Sequence, residues 1–171
     1  MKKVFMSSLA GLVSTMVVLG AFAFAQAEMP ANSETRDLLI KSEVETAVSM
    51  LQAIFAKQQQ GEMTLAAAKK LGADLLRELR YGKEGYFWAD TEQGVNVVLY
   101  GRKDVEGRTR LEAKDQNGIY YIKEFLAKAE TGGGYVEYFF PKKGESRARP
   151  KRSYVQAFKP FGWVIGTGYY R

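Results

Sequence analysis

The stretch RYGKEGYFWAD, residues 80–90, is where one repeat of apolar residues gives way to another. Upstream of it Leu39, Ile40, Val44, Ala47, Val48, Leu51, Ile54 and Phe55 recur at steps of three and four, the spacing of a long amphipathic helix that starts near Glu34. That helix runs out in KQQQGEM with Gly61 as its terminator. Thr64 then supplies an N-cap for a second helix, LAAAKKLGADLLRELR, predicted to end near Tyr81 and Gly82. Downstream the runs are short, aromatic and β-branched, and they are bounded by Gly, Asp, Pro or Asn. GYFWAD, GVNVVLYG, GGYVEYFFPKK, KRSYVQAFKPF and GWVIGTGYY therefore read as five strands. DTEQG, closing on Gly94, and KPFG, with Pro160 and Gly162, supply the turns within the first and last pairs. Between the second and third strands a third helix is predicted, capped by Asp115 or Asn117 and carrying Ile119, Ile122, Phe125, Leu126 and Ala129. The plan is α+β: a long N-terminal helix and a second helix packed on an antiparallel sheet of about five strands, with one inserted helix.

A chain of 171 residues with 46% apolar content fits one domain with a core of its own. Cysteine and histidine are both absent. Disulfide staples, Ser-His and Cys-His nucleophile pairs and the usual zinc sites are thereby excluded. Lys2 and Lys3 precede an uncharged apolar run over residues 4–27 that closes on small residues, the pattern of a secretory signal cleaved after Ala27. The alternative is an uncleaved anchor in the inner membrane, since the run is long enough to span a bilayer. Either way the domain lies outside the cytoplasm, periplasmic or secreted. The expected boundaries are 1–27 for the signal, 28–33 for a linker and 34–171 for the domain. The net charge of +6 drops to near +4 without the two leading lysines. Its basic residues cluster at Arg102, Lys103, Arg108, Arg110 and Lys114, and again at Lys142, Lys143, Arg147, Arg149, Lys151 and Arg152. Both clusters read as solvated loops, and no nucleic-acid partner is expected.

The order of LRELRYGKEGYFWAD, NVVLYGRKDVEGRTR, GYVEYFFPKKG and KRSYVQAFKPFGWVIGTGYY resembles the single Cache domain, the extracytoplasmic PAS-like sensor module of chemotaxis receptors and kinases. The resemblance runs from about Glu34 to Tyr170 and is closest to the subgroup on methyl-accepting chemotaxis receptors, whose ligands are small organic acids. It implies a sensor, not an enzyme, that binds a short-chain acid such as acetate, propionate, lactate or pyruvate without a cofactor. Members often carry histidine then proline at the end of the second strand, where this chain has Tyr100 and Gly101. Because nothing follows GTGYY but Arg171, the expectation is a stand-alone exported domain. It would hand its bound state to a separate membrane receptor, kinase or transporter. The alternative is a ligand-free docking module. The N-terminal helix is the candidate surface for a homodimer.

Recognition of a small carboxylate rests on cationic and hydroxyl donors around its oxygens, backed by an aromatic wall. Arg80 leads the expected ligand-binding set, which also holds Tyr81, Tyr86, Trp88, Tyr100, Tyr138, Lys151, Tyr154 and Gln156. The competing reading of Arg80 is a helix-end cation. Strand alternation puts Tyr86 and Trp88 on one face and Phe87 and Ala89 on the other. In the last strand, Gly162, Val164, Gly166 and Gly168 oppose Trp163, Ile165, Thr167 and Tyr169. The glycine side admits a close approach by ligand or helix. Asp90 with Glu92 and Asp104 with Glu106 are the best carboxylate pairs for an enzyme or a hard metal. Both are expected in turns, so no metal is assigned.

Overall fold

The computed structural model describes residues 32–171; the signal expected at 1–27 and most of the linker expected at 28–33 lie outside the described residues. Helix α1 is Ser33–Gln59, and the Asn32 side chain accepts from the amides of Glu34 and Thr35 at its start. Its buried stripe is Ile40, Val44, Ala47, Leu51 and Ile54, as the spacing requires. Helix α2 is Leu65–Glu78, and the Thr64 hydroxyl accepts from Ala67 N as expected of an N-cap.

Helix α2 stops short of Tyr81, because Arg80 and Tyr81 are claimed by a small hairpin in which β1 (Arg80–Tyr81) pairs with β2 (Gly85–Tyr86). Strands β3 (Trp88–Thr91), β4 (Asn96–Leu99), β5 (Gly134–Pro141), β6 (Ala148–Phe158) and β7 (Trp163–Tyr170) form one sheet in the order β4-β3-β7-β6-β5. Every pairing in it is antiparallel. The turn into β7 is made by Gly162 at φ +66°, a left-handed conformation that a side chain disfavours.

Helix α3 is Tyr121–Glu130, starting later than predicted and without a side-chain cap. Asp115 does not cap it. The Asp115 carboxylate instead accepts from the amides of Asn117, Ile119 and Phe139, fastening the loop before α3 onto β5.

The sheet has two covered faces. Against α1 and α2 lie Phe87, Ala89, Val98, Tyr154, Phe158, Trp163, Ile165 and Tyr169. Against α3 lie Tyr86, Trp88, Leu99, Val136, Tyr138, Val155 and Val164, with Tyr121, Ile122 and Phe125 opposite them. Phe87 and its neighbours Tyr86 and Trp88 thus part to opposite faces, as the alternation predicts. What approaches the glycine side of β7 is the Trp88 indole: a Cβ built on Gly166 would stand 2.5 Å from its ring.

Candidate ligand site on the α3 face

Lys151 sits in the middle of β6, paired across the ladder with Tyr138 on β5 and Tyr170 on β7. It is 2% exposed. Its ammonium donates to the Tyr86 hydroxyl at 2.6 Å and lies 4.3 Å from the centroid of that ring. Trp88, Tyr170 and Phe140 complete the surround, with centroids at 4.8, 4.9 and 5.4 Å. No carboxylate among the described residues lies within ion-pair reach of it. Burial lowers the Lys151 pKa below the ordinary lysine value, opposed in part by Tyr86. Burial also pushes the Tyr86 and Tyr138 phenols up, so both stay protonated as neutral hydroxyls at neutral pH. The Tyr138 hydroxyl lies 3.2 Å from Ser153 Oγ. Trp88 Nε1 is buried and has no hydrogen-bond partner, which is uncommon for an indole inside a protein.

A second cation reaches the same layer. Arg110 is held 3.3 Å from Asp90 and stacks near Tyr121, its centroid 5.8 Å away. Asp90 also accepts from Asn96 Nδ2 at 2.9 Å, and burial raises its pKa despite the Arg110 charge beside it. The expectation of solvated loops therefore fails for Arg110 and Lys151. It fails also for half-buried Arg152, which is bound to Asp37. The periodicity around Arg110 gives no sign of its burial, which follows from the bridge between Val95 and Thr109 that folds its loop onto β4.

Two hollows flank Lys151. One, of about 240 Å³, is walled by Tyr86, Tyr100 and Tyr170 and rimmed by Lys142, Lys143 and Glu84. The other, of about 210 Å³, touches Lys151 itself and is bounded by Ile119, Tyr138, Pro150 and Arg171.

Of the expected set, Tyr86, Trp88, Tyr138 and Lys151 come together in this cage. Tyr100 stands at its mouth, 5.6 Å from Tyr86 between ring centroids. Arg80 does not enter. It is exposed, donates to the carbonyls of Arg77 and Leu79 at the end of α2, and lies 3.6 Å from the Tyr100 centroid. This placement matches the helix-end alternative. Lys143 covers the same ring at 3.9 Å, and these two cations, Lys143 first, lower the Tyr100 pKa.

Tyr81, Tyr154 and Gln156 lie away from the cage. Tyr81 shares a hydrogen bond of 2.8 Å with Thr167 and packs on Phe87, and Tyr154 packs on Tyr135, both on the α1 side of the sheet. Residues 151, 153 and 155 of β6 face α3, so 154 and 156 face away; strand parity alone separates Lys151 from the other two.

The carboxylates are accounted for as well. Asp90 is in β3 rather than a turn, Glu92 pairs with Lys159, Asp104 with Arg102 and Glu106 with Arg77. Among the described residues no cluster of three or more acidic side chains forms a metal site.

A family profile described as Single Cache domain 2 matches residues 33–171. The chain is a single Cache domain. Its relatives include the methyl-accepting chemotaxis protein McpP of Pseudomonas putida, 31% identical over 74% of this chain and 24% of that protein. The sensor histidine kinase MctS of Rhizobium johnstonii is 32% identical over 80% of this chain and 29% of that protein. This Cache domain thus spans about a quarter of the length of such relatives. A solved structure described as the structural basis for carboxylic acid recognition by a Cache chemosensory domain superposes with a TM-score of 0.77 at 31% identity, covering 80% of this chain and 94% of that one. A periplasmic sensor domain of a chemotaxis protein superposes at 0.79 with 29% identity, covering 82% of this chain and 99% of that one. Among the described residues no helix is long and apolar enough to cross a membrane.

Proposed function

We propose that this Cache domain binds a short-chain carboxylic acid in the cage around Lys151 and passes its bound state to a membrane receptor or kinase from outside the cytoplasm. The observation that carries the reading is a buried ammonium with no acidic partner, beside an indole N–H with no acceptor. Each of these costs free energy to keep away from water. One carboxylate satisfies both: an oxygen takes the Lys151 charge and shares the Tyr86 hydroxyl, and the other oxygen accepts from Trp88 Nε1. A tail of few carbons then fits the hollow of about 210 Å³ that touches Lys151 and is bounded by Ile119 and Tyr138. Carboxylic acid recognition by a similar Cache domain supports the ligand class. The signalling partner is supported by the chemoreceptor and kinase relatives, and the location by the apolar run at 4–27. Whether the partner is a separate polypeptide is tested by pull-down from envelope membranes.

The test is thermal unfolding of the purified protein with acetate, propionate, lactate and pyruvate. A ligand at a hundredfold excess over its Kd stabilises by about 2.7 kcal/mol, and Lys151→Met should abolish the shift while the fold remains. A second reading, a docking module that takes no small ligand, has one observation in its favour: Lys151 is already enclosed by four rings and held by Tyr86. No shift with any acid would select it. Pairing of two copies along α1, which exposes Leu38 at 59%, completes the reading and is tested by sedimentation of wild type and Leu38→Glu.

A further inference from the structure

Two adjacent rungs of the sheet carry opposite loads. Tyr138, Lys151 and Tyr170 pair side by side across β5, β6 and β7, and their side chains build the cage. The next rung is Glu137, Arg152 and Tyr169, and its Arg152 and Tyr169 side chains face α1. There they meet Asp37, near the start of the helix. Arg152 donates to its carboxylate from Nε at 2.8 Å and from a terminal nitrogen at 2.8 Å, and the Tyr169 hydroxyl donates at 3.0 Å. Glu137 steadies the same guanidinium at 2.7 Å, and the Tyr135 hydroxyl donates to the Asp37 carbonyl.

Most of the remaining α1 contact with the sheet is apolar side-chain packing, which is non-directional, and the Arg36 guanidinium lies 5.4 Å from the Tyr169 ring centroid. The Asp37 contact is a two-pronged, charge-assisted one, which fixes a position. Arg152 and Lys151 are neighbours in the chain, with Cα atoms about 3.8 Å apart across one peptide. A shift of the Lys151 backbone therefore carries Arg152 with it, and a shift of Tyr170 carries Tyr169.

We propose that the Asp37–Arg152–Tyr169 clasp is the place where occupancy of the Lys151 cage is read out, by changing how firmly the first turns of α1 are held. The proposal rests on the carboxylate reading for its physiological trigger, but the mechanical coupling is testable without a ligand. Arg152, Tyr169 and Asp37 are positioning residues: none touches the cage.

The experiment is hydrogen exchange of the amides of residues 33–40, read in a double-mutant cycle. Lys151→Met alters the cage rung and should change the protection of these amides by about fivefold, the lower range of coupling between sites. In an Asp37→Asn background the same substitution should leave them unchanged. An equal effect of Lys151→Met in both backgrounds, or no effect in either, overturns the coupling. Tyr169→Phe, which removes one donor and keeps the ring, should give an intermediate response and guards against misfolding of the first variant. A second arm adds 10-fold to 100-fold excess propionate, or whichever of the four acids binds, to the wild type. Linkage then requires Arg152→Gln, which releases α1, to change the acid's affinity by up to the factor through which the acid alters protection of residues 33–40 in the wild type, and an unchanged affinity overturns the readout. If no acid binds the wild type, the carboxylate reading falls while the cycle still decides the clasp.

Discussion

The two faces of one sheet are built by different rules. On the α1 side the interior is Ile40, Val44, Leu51, Phe87, Ile165 and their neighbours, and the buried Thr167 hydroxyl among them is bonded to Tyr81 and to the Tyr86 carbonyl. On the α3 side the interior holds Lys151, the Arg110–Asp90 pair and a Trp88 N–H without an acceptor. Apolar packing is the source of stability, whereas buried charge rarely adds any. The difference teaches that α1 and α2 hold the domain together so that the opposite face can carry buried charge and an unpartnered indole N–H.

The largest expected effect lies on the packed face. Phe87→Ala should destabilise by about 3–5 kcal/mol in urea unfolding. A loss under about 1 kcal/mol would show that this face is not where stability resides. Asp90→Ala comes next. It strands Arg110 in the α3 layer, and breaking a buried pair from one side costs about 3–5 kcal/mol, so destabilisation there should approach that of Phe87→Ala. Lys151→Met should do the reverse, leaving stability unchanged or raising it by about 1–2 kcal/mol, because it removes a burial cost and fills the same volume.

A pH titration sharpens the contrast. The Lys151 pKa is depressed on folding, so between that value and the ordinary 10.5 the unfolded chain holds a proton that the folded chain has released. Stability contributed by this group therefore rises with pH through that window, whereas carboxylate affinity, which needs the ammonium, falls. Urea midpoints and calorimetric affinities should move in opposite directions below about pH 10, where free tyrosine begins to titrate, and Lys151→Met should lose the stability trend. Parallel trends would remove Lys151 as the anchor. The smallest effect belongs to Arg80→Ala, an exposed substitution expected to change stability by under about 0.5 kcal/mol and to leave acid binding intact.

Much of this contrast is legible in the sequence alone. The three- and four-residue steps of α1, the Thr64 cap and the alternation through Tyr86, Phe87 and Trp88 are local, and local rules place them. Arg80 is misplaced by such rules because the end of α2 depends on a hairpin partner, Gly85–Tyr86, that helix propensity does not weigh. Arg110 is hidden from them since nothing within its own loop reports the Val95–Thr109 bridge. Tyr154 and Gln156 are different: the parity of β6 is readable, and it already sets them against Lys151. Asp115 shows how one residue type serves two ends, since a carboxylate before a helix can as well tie a loop to a strand.

At Gly166 a missing methyl group sets the depth at which Trp88 lies. The indole occupies the space that a Cβ would need. An alanine there would act as a shim, pressing the ring toward Phe125, whose centroid already lies 5.6 Å away. The seat of the indole, and with it the direction of its unpartnered N–H, is therefore gauged by a strand residue with no side chain at all.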